Sequence, residues 1–142
     1  MNYRRSNRRP DKRRCGAAAV EMAIVLGLLI LLVFGIIEMG RAIMVNQVIT
    51  NAAREGARRA VIPGATDAQV NGRVGKYLAD AGITGSTTTI KVNGSAASLS
   101  TAPSRAEVEV AVSVPYSEVS FGVLQLLSPD RVFIARVNMR RE

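Results

Sequence analysis

Residues 22–37 read MAIVLGLLILLVFGII, sixteen residues without a charge. Residues 17–20 (AAAV) extend this stretch backwards to 21 residues, broken only by Glu21. A helix rises about 1.5 Å per residue, so the longer stretch reaches about 31 Å, the thickness of a bilayer core. The uncharged sixteen alone are marginal for that span. The run therefore crosses a membrane with Glu21 inside it or at its edge, and the rest of the chain is read outward from it.

Charge is placed unevenly on either side. The 142 residues carry 19 Lys+Arg against 11 Asp+Glu, a formal net charge of +8. Before the run stand Arg4, Arg5, Arg8, Arg9, Lys12, Arg13 and Arg14, opposed only by Asp11. In the fifteen residues after Ile37 only Arg41 is basic. The positive-inside rule places the N-terminus in the cytoplasm and residues after about 40 outside. Beyond the leader, twelve basic residues nearly balance ten acidic ones. Nucleic-acid binding through a folded basic surface is not the pattern.

A cleaved secretory signal fits poorly. The run ends in Glu38-Met39-Gly40-Arg41, not in a small-x-small site, and its small residues (Gly16 to Ala19) precede it. Cys15 also precedes the run, whereas a lipid-modified cysteine follows one. It is read as an incidental cytoplasmic thiol. With no His and one Cys, His-based acid–base chemistry, serine triads, Cys–His dyads, zinc sites of His and several Cys, and internal disulfides are excluded. No cofactor, metal or small-molecule substrate is expected.

Glu21 has two readings. An unpaired carboxylate inside a bilayer costs about 2–3 kcal/mol or more. It either marks the cytoplasmic edge and reaches the headgroups, or it has a partner cation. The leader supplies candidates, and so does a freshly exposed α-amino group on a neighbouring subunit.

Gly16-Ala17-Ala18-Ala19-Val20-Glu21 resembles the processing region of type IV prepilins. There a basic leader ends in Gly, a prepilin peptidase cuts after it, and a Glu stands fifth in the mature helix. With Ala17 as first mature residue, Glu21 is fifth. The resemblance narrows to the TadE-like family of minor pseudopilins from tight-adherence (Flp pilus) secretion systems. It rests on Gly35-Ile36-Ile37-Glu38-Met39-Gly40-Arg41, on Asn51-Ala52-Ala53-Arg54-Glu55-Gly56-Ala57-Arg58 and on the ending Val137-Asn138-Met139-Arg140-Arg141-Glu142. It is good over residues 14–64 and holds only as a pattern in the middle of the chain. One departure is Met22, where Flp pilins favour Tyr. The resemblance implies cleavage between Gly16 and Ala17. It also implies that Glu21 pairs with the N-terminal amine of an adjacent subunit, each charge satisfying the other in low dielectric and checking register. Implied partners are a prepilin peptidase, other pilins or pseudopilins and a polytopic membrane platform, at the bacterial inner membrane.

Helical signals continue past the run. Val45, Val48, Ile49, Ala52, Ala53, Ala57, Ala60 and Val61 form one stripe, with Arg54, Glu55, Arg58 and Arg59 mainly off it. The spacing predicts one helix over about 17–62, stopped at Pro63-Gly64. In the block around 51–60, Ala and Gly let another element approach while the charges face water. A partner-binding surface is the competing reading of that block. Thr66-Asp67-Ala68-Gln69 is a capping box that opens a second helix, with Val70, Val74, Tyr77, Leu78 and Ala81 on one face and Gly82 as its stop. The period then falls to two. Residues 87–92 (TTTIKV) read as a strand and Asn93-Gly94 as a hairpin turn. Residues 95–104 read as a loop or weak strand. Residues 106–114 read as a half-buried strand with Val108, Val110, Val112 and Val114 on its inner face. Residues 121–127 (FGVLQLL) are either helical or a second contact with the membrane surface. Residues 131–139 read as a final strand.

The expected fold is α+β and pilin-like: a long N-terminal transmembrane helix continuing outside, a short second helix and three to four antiparallel strands packed on the outer half of the long helix. The expected organisation is a basic cytoplasmic leader (1–16), a transmembrane helix (17–40) and an extracytoplasmic domain (41–142), the last marginally stable alone. The leading functional expectation is a non-enzymatic minor pseudopilin. A second is an uncleaved single-pass protein whose basic tail binds anionic lipid or a cytoplasmic partner. A third, an enzyme using Glu107, Glu109 or Glu118, is explained better by a solvated sheet face.

Overall fold

The computed structural model describes residues 12–119 and 131–141, with side chains from residue 16 onward. The expectation for residues 121–127 lies outside the described residues. The fold is α+β. Helix α1 spans Lys12–Ala60 and helix α2 spans Asp67–Asp80; strands β1 (Thr87–Val92), β2 (Glu107–Pro115) and β3 (Val132–Arg140) follow. The chain divides into two compact units, Met1–Ile36 and Ile37–Glu142.

In the first unit, among the described residues, α1 carries its apolar side chains outward. Leu28 and Leu31 are 66 and 67 % exposed. Helix α1 is long and apolar enough to cross a membrane.

The second unit has one core. Val45, Ile49, Ala52, Ala53, Ala57 and Ala60 of α1 join Val70, Val74 and Leu78 of α2 and the four inward valines of β2. Small residues on α1 set the spacing. A Cβ added at Gly56 would lie 2.6 Å from Val74 Cγ2 and 3.2 Å from Val110 Cγ1, so glycine there allows both α2 and β2 to close on α1. The close-approach reading of the 51–60 block is met. Ala52, Ala53, Gly56, Ala57 and Ala60 are buried, whereas Arg54 and Arg58 are exposed.

Helix α1 begins earlier than the expected residue 17. Its end matches: the ladder stops at Ala60, the chain turns over residues 61–64, and Gly64 takes φ +78. Helix α2 opens as read. Thr66 caps the Gln69 N–H and the Gln69 side chain returns to the Thr66 N–H. It closes on Gly82 at φ +71, with the Gly82 N–H donating to Ala79 O (2.9 Å) and the Ile83 N–H to Leu78 O (2.9 Å), a Schellman arrangement. One expectation fails. Tyr77 is 38 % exposed rather than facing the core. Val70, Val74 and Leu78 already fill the seam, and Tyr77 lies one position round from the last of them.

The sheet order is β1-β2-β3, antiparallel throughout. β2 runs down its centre, with Val108, Val110, Val112 and Val114 fully buried. The opposite face is partly solvated, as alternation requires. Asn93 and Gly94 both take positive φ, and Val92 and Ser95 exchange backbone hydrogen bonds of 2.8 and 3.0 Å across them. This is the tight turn read from the sequence. It closes only one bridge before the chain leaves through a 3-10 turn at Leu99–Thr101 and returns as β2. Leu99 is fully buried, which anchors that excursion.

Candidate functional site

Two places were expected to carry function: the start of α1, and the strand carboxylates of the enzyme alternative. Arg4, Arg5, Arg8 and Arg9 lie outside the described residues. Lys12, Arg13 and Arg14 occupy the first turn of α1. Gly16, Ala17 and Glu21 follow on the same helix, all exposed. Nothing in the fold requires glycine at 16, because an added Cβ meets no atom within 4 Å. Ala17 and Glu21 are four apart, so they share a face with about 6 Å of rise between them. Among the described residues Glu21 has no hydrogen-bond or ion-pair partner.

The carboxylates of the enzyme alternative each have a separate neighbour. Glu107 is exposed and stands opposite Arg140 in the β2–β3 register. Glu109 stands opposite Lys91, whose Nζ lies 3.9 Å from Glu109 Oε1, an ion-pair distance too long for a hydrogen bond. Glu118 packs on Gly85 and accepts from the Thr84 hydroxyl (3.4 Å).

A polar cluster that the sequence reading did not single out lies where the apolar run ends. Glu38 is only 3 % exposed, although it follows sixteen uncharged residues. The Tyr116 hydroxyl donates to Glu38 Oε1 at 2.7 Å. Arg41, one turn on, donates from Nε to the Val119 carbonyl. Glu38, Arg41, Val45 and Ile49 follow helical spacing, so this polar pair begins the same stripe that forms the core further along. It meets the segment that leaves β2: Pro115 ends the strand, and a 3-10 turn spans Tyr116–Glu118. The Tyr116 ring stacks at a tilt on Phe133 of β3, with centroids 5.6 Å apart. A charge so buried is costly unless hydrogen-bonded, and the tyrosine supplies one such bond. The available signal was the pairing of Glu38 and Arg41, three apart, immediately beyond the apolar run.

A second clamp lies at the C-terminal end. Arg141 is 9 % exposed and donates from Nη1 to Leu99 O (2.8 Å) and Ala102 O (3.2 Å). Asp67 holds the same excursion from the other side, accepting from the Leu99 N–H (3.0 Å) and the Ser98 hydroxyl (2.9 Å). The charge at residue 141, read only as part of an ending, fastens a loop.

Residues 16–58 match the family model described as TadE-like protein. That covers less than a third of the chain, and it takes in Gly16, the apolar run, Glu38, Arg41 and the close-packed 51–58 block. No curated protein and no solved structure matches the chain.

Proposed function

We propose that the chain is a pilus-associated membrane protein, a minor pseudopilin cut after Gly16 and used in assembling an adhesion pilus or tight-adherence secretion apparatus. The observation that carries the reading is the start of the TadE-like match at Gly16, at the boundary between basic leader and apolar helix. In this reading residues 1–16 are a cytoplasmic leader, residues 17–40 cross the inner membrane once, and residues 41–142 lie outside. The role is structural. No catalytic group is needed for it.

The chemistry follows from the residues. Cutting the Gly16–Ala17 bond, between the fifth and sixth residues of α1, requires its first two turns to open, which a helix end permits and glycine eases. The cut removes the seven leader cations and Asp11, so the formal charge falls from +8 to +2. It also creates an α-amino group four residues before Glu21. An amine from a neighbouring subunit then neutralises the Glu21 carboxylate inside the bilayer, and a subunit out of register leaves both charges uncompensated.

The test is the intact mass and N-terminal sequence of the protein from membranes, with and without a cognate prepilin peptidase. A new N-terminus at Ala17 that appears only with the peptidase is the expected result. An intact leader in the presence of an active cognate peptidase overturns the reading. It leaves a single-pass anchor whose basic tail becomes the binding element.

A further inference from the structure

Arg58 and Arg59, at the end of α1, and Arg73 and Lys76, on α2, line one surface groove of ≈ 530 Å³ together with Glu55. Four cations face one carboxylate there. Beyond the leader the whole chain has only twelve basic residues against ten acidic, so the positive excess of this part is concentrated in one place. We propose that this groove is a docking site for an acidic, carboxylate-bearing segment of another extracytoplasmic protein subunit. The proposal rests on the reading above only for the side of the membrane on which the partner lies.

The internal pairings leave capacity for a ligand. Arg73 holds Glu55 through Nε (3.0 Å) and Nη2 (2.7 Å), and Arg59 Nη2 holds Gln69 Oε1 (2.8 Å). These contacts fix two guanidinium groups in the wall and consume the one carboxylate. Among the described residues Arg58 and Lys76 have no hydrogen-bond or ion-pair partner. Their charges raise the local potential, and an anion seated between them relieves the repulsion.

Helix electrostatics explain only part of the arrangement. Arg58 and Arg59 sit in the last turn of α1, where a cation offsets the helix dipole. Arg73 and Lys76 do not share that reason, because α2 has no basic residue in its last turn. They are three apart on one helix, a spacing at which like charges repel. Arg73 is tied to α1 through Glu55.

The groove's other features select the occupant. Gly72 contributes no side chain and opens the groove between the helices. Ile62 in its wall is 45 % exposed, and Tyr77 borders a smaller recess shared with Arg73, Lys76 and Asp80. Guanidinium forks match carboxylates in a bidentate manner, and the exposed isoleucine and tyrosine accept an apolar side chain. An acidic peptide segment with interspersed apolar residues supplies both. Lipid headgroups of the anchoring membrane are a poor fit. A headgroup phosphate supplies the anion without the interspersed apolar side chains that Ile62 and Tyr77 would take.

The experiment uses the full-length protein in nanodiscs, with a photo-crosslinking phenylalanine analogue in place of Tyr77, an exposed ring in the recess beside the groove. A peptide of alternating Glu and Leu is the probe, and its Gln–Leu counterpart is the control. Crosslinking at position 77 reports the groove and ignores peptide held by the basic leader. The expected result is a crosslink to the acidic peptide that weakens with salt and falls about tenfold in the Arg58→Glu/Lys76→Glu double variant. The milder Arg58→Gln/Lys76→Gln variant gives an intermediate loss, and the salt series on the unaltered side chains needs no variant to fold. Equal crosslinking of the Gln–Leu peptide, or an unchanged yield in the correctly folded Glu variant, overturns the proposal. Stronger competition by polyphosphate or anionic vesicles than by unlabelled acidic peptide also overturns it, in favour of a polyanion or a membrane. Cleavage after Gly16 is read separately by mass, so failure of one reading is distinguishable from failure of the other.

Discussion

Glu38 is buried at the point where the apolar run gives way to the folded unit, and Tyr116 bonds to it directly. A hydrogen bond to a charged group contributes about 1.5–3 kcal/mol, so Tyr116→Phe is expected to destabilise the fold by about that amount. Urea unfolding of the detergent-solubilised protein, followed by circular dichroism, measures it. A variant as stable as the parent would show that the bond contributes nothing net. Arg141 makes a second prediction. Arg141→Ala removes a charged donor from Ala102 O and from Leu99 O, which keeps only the Ala102 N–H (3.3 Å), at about 1–3 kcal/mol. Hydrogen exchange is expected to rise first over residues 98–102, where the loop is otherwise held by Asp67. Neither residue was legible as a site. The sequence states that each is charged, but burial depends on which distant carbonyl or hydroxyl arrives beside it.

At the scale of elements, the legible features were those encoded within a few neighbouring residues. The capping box at Thr66, the stop at Gly82, the turn at Asn93-Gly94 and the alternating valines of β2 each depend on local geometry and were found where expected. Tyr77 was misplaced because helical spacing defines a stripe but not its width, and three aliphatic residues filled the seam. The excursion between β1 and β2 was read only as loop or weak strand, because Leu99 is buried by tertiary contact rather than by pattern. The small-residue face of α1 was read correctly, and it carries its own prediction. Gly56→Ala places a methyl group against a stiff β-branched neighbour, Val74, and against Val110. Overpacking costs about 1–3 kcal/mol and exceeds the gain of about 1 kcal/mol in helix propensity. The variant is therefore expected to melt below the parent, whereas Gly72→Ala, which meets nothing, melts at or above it.

For the whole molecule, on the proposed pseudopilin reading, Glu21→Gln separates anchoring from assembly. The substitution removes a charge from the apolar run, so membrane insertion and cleavage at Gly16 are expected to persist. On the same reading, co-purification with pilin-like partners is expected to fall, as counted by quantitative mass spectrometry of detergent extracts; undiminished recovery would remove Glu21 from the assembly step. The order of the sheet has a further consequence in the direction of synthesis. β3 and Arg141 follow β2 in the chain, yet they pair with that central strand and lock the loop before it. A chain delivered from its N-terminus therefore presents β2 with one bare edge until residues 132–140 follow. A chain that stops before residue 132 keeps that edge bare and its loop unfastened, and is ready to aggregate or be degraded.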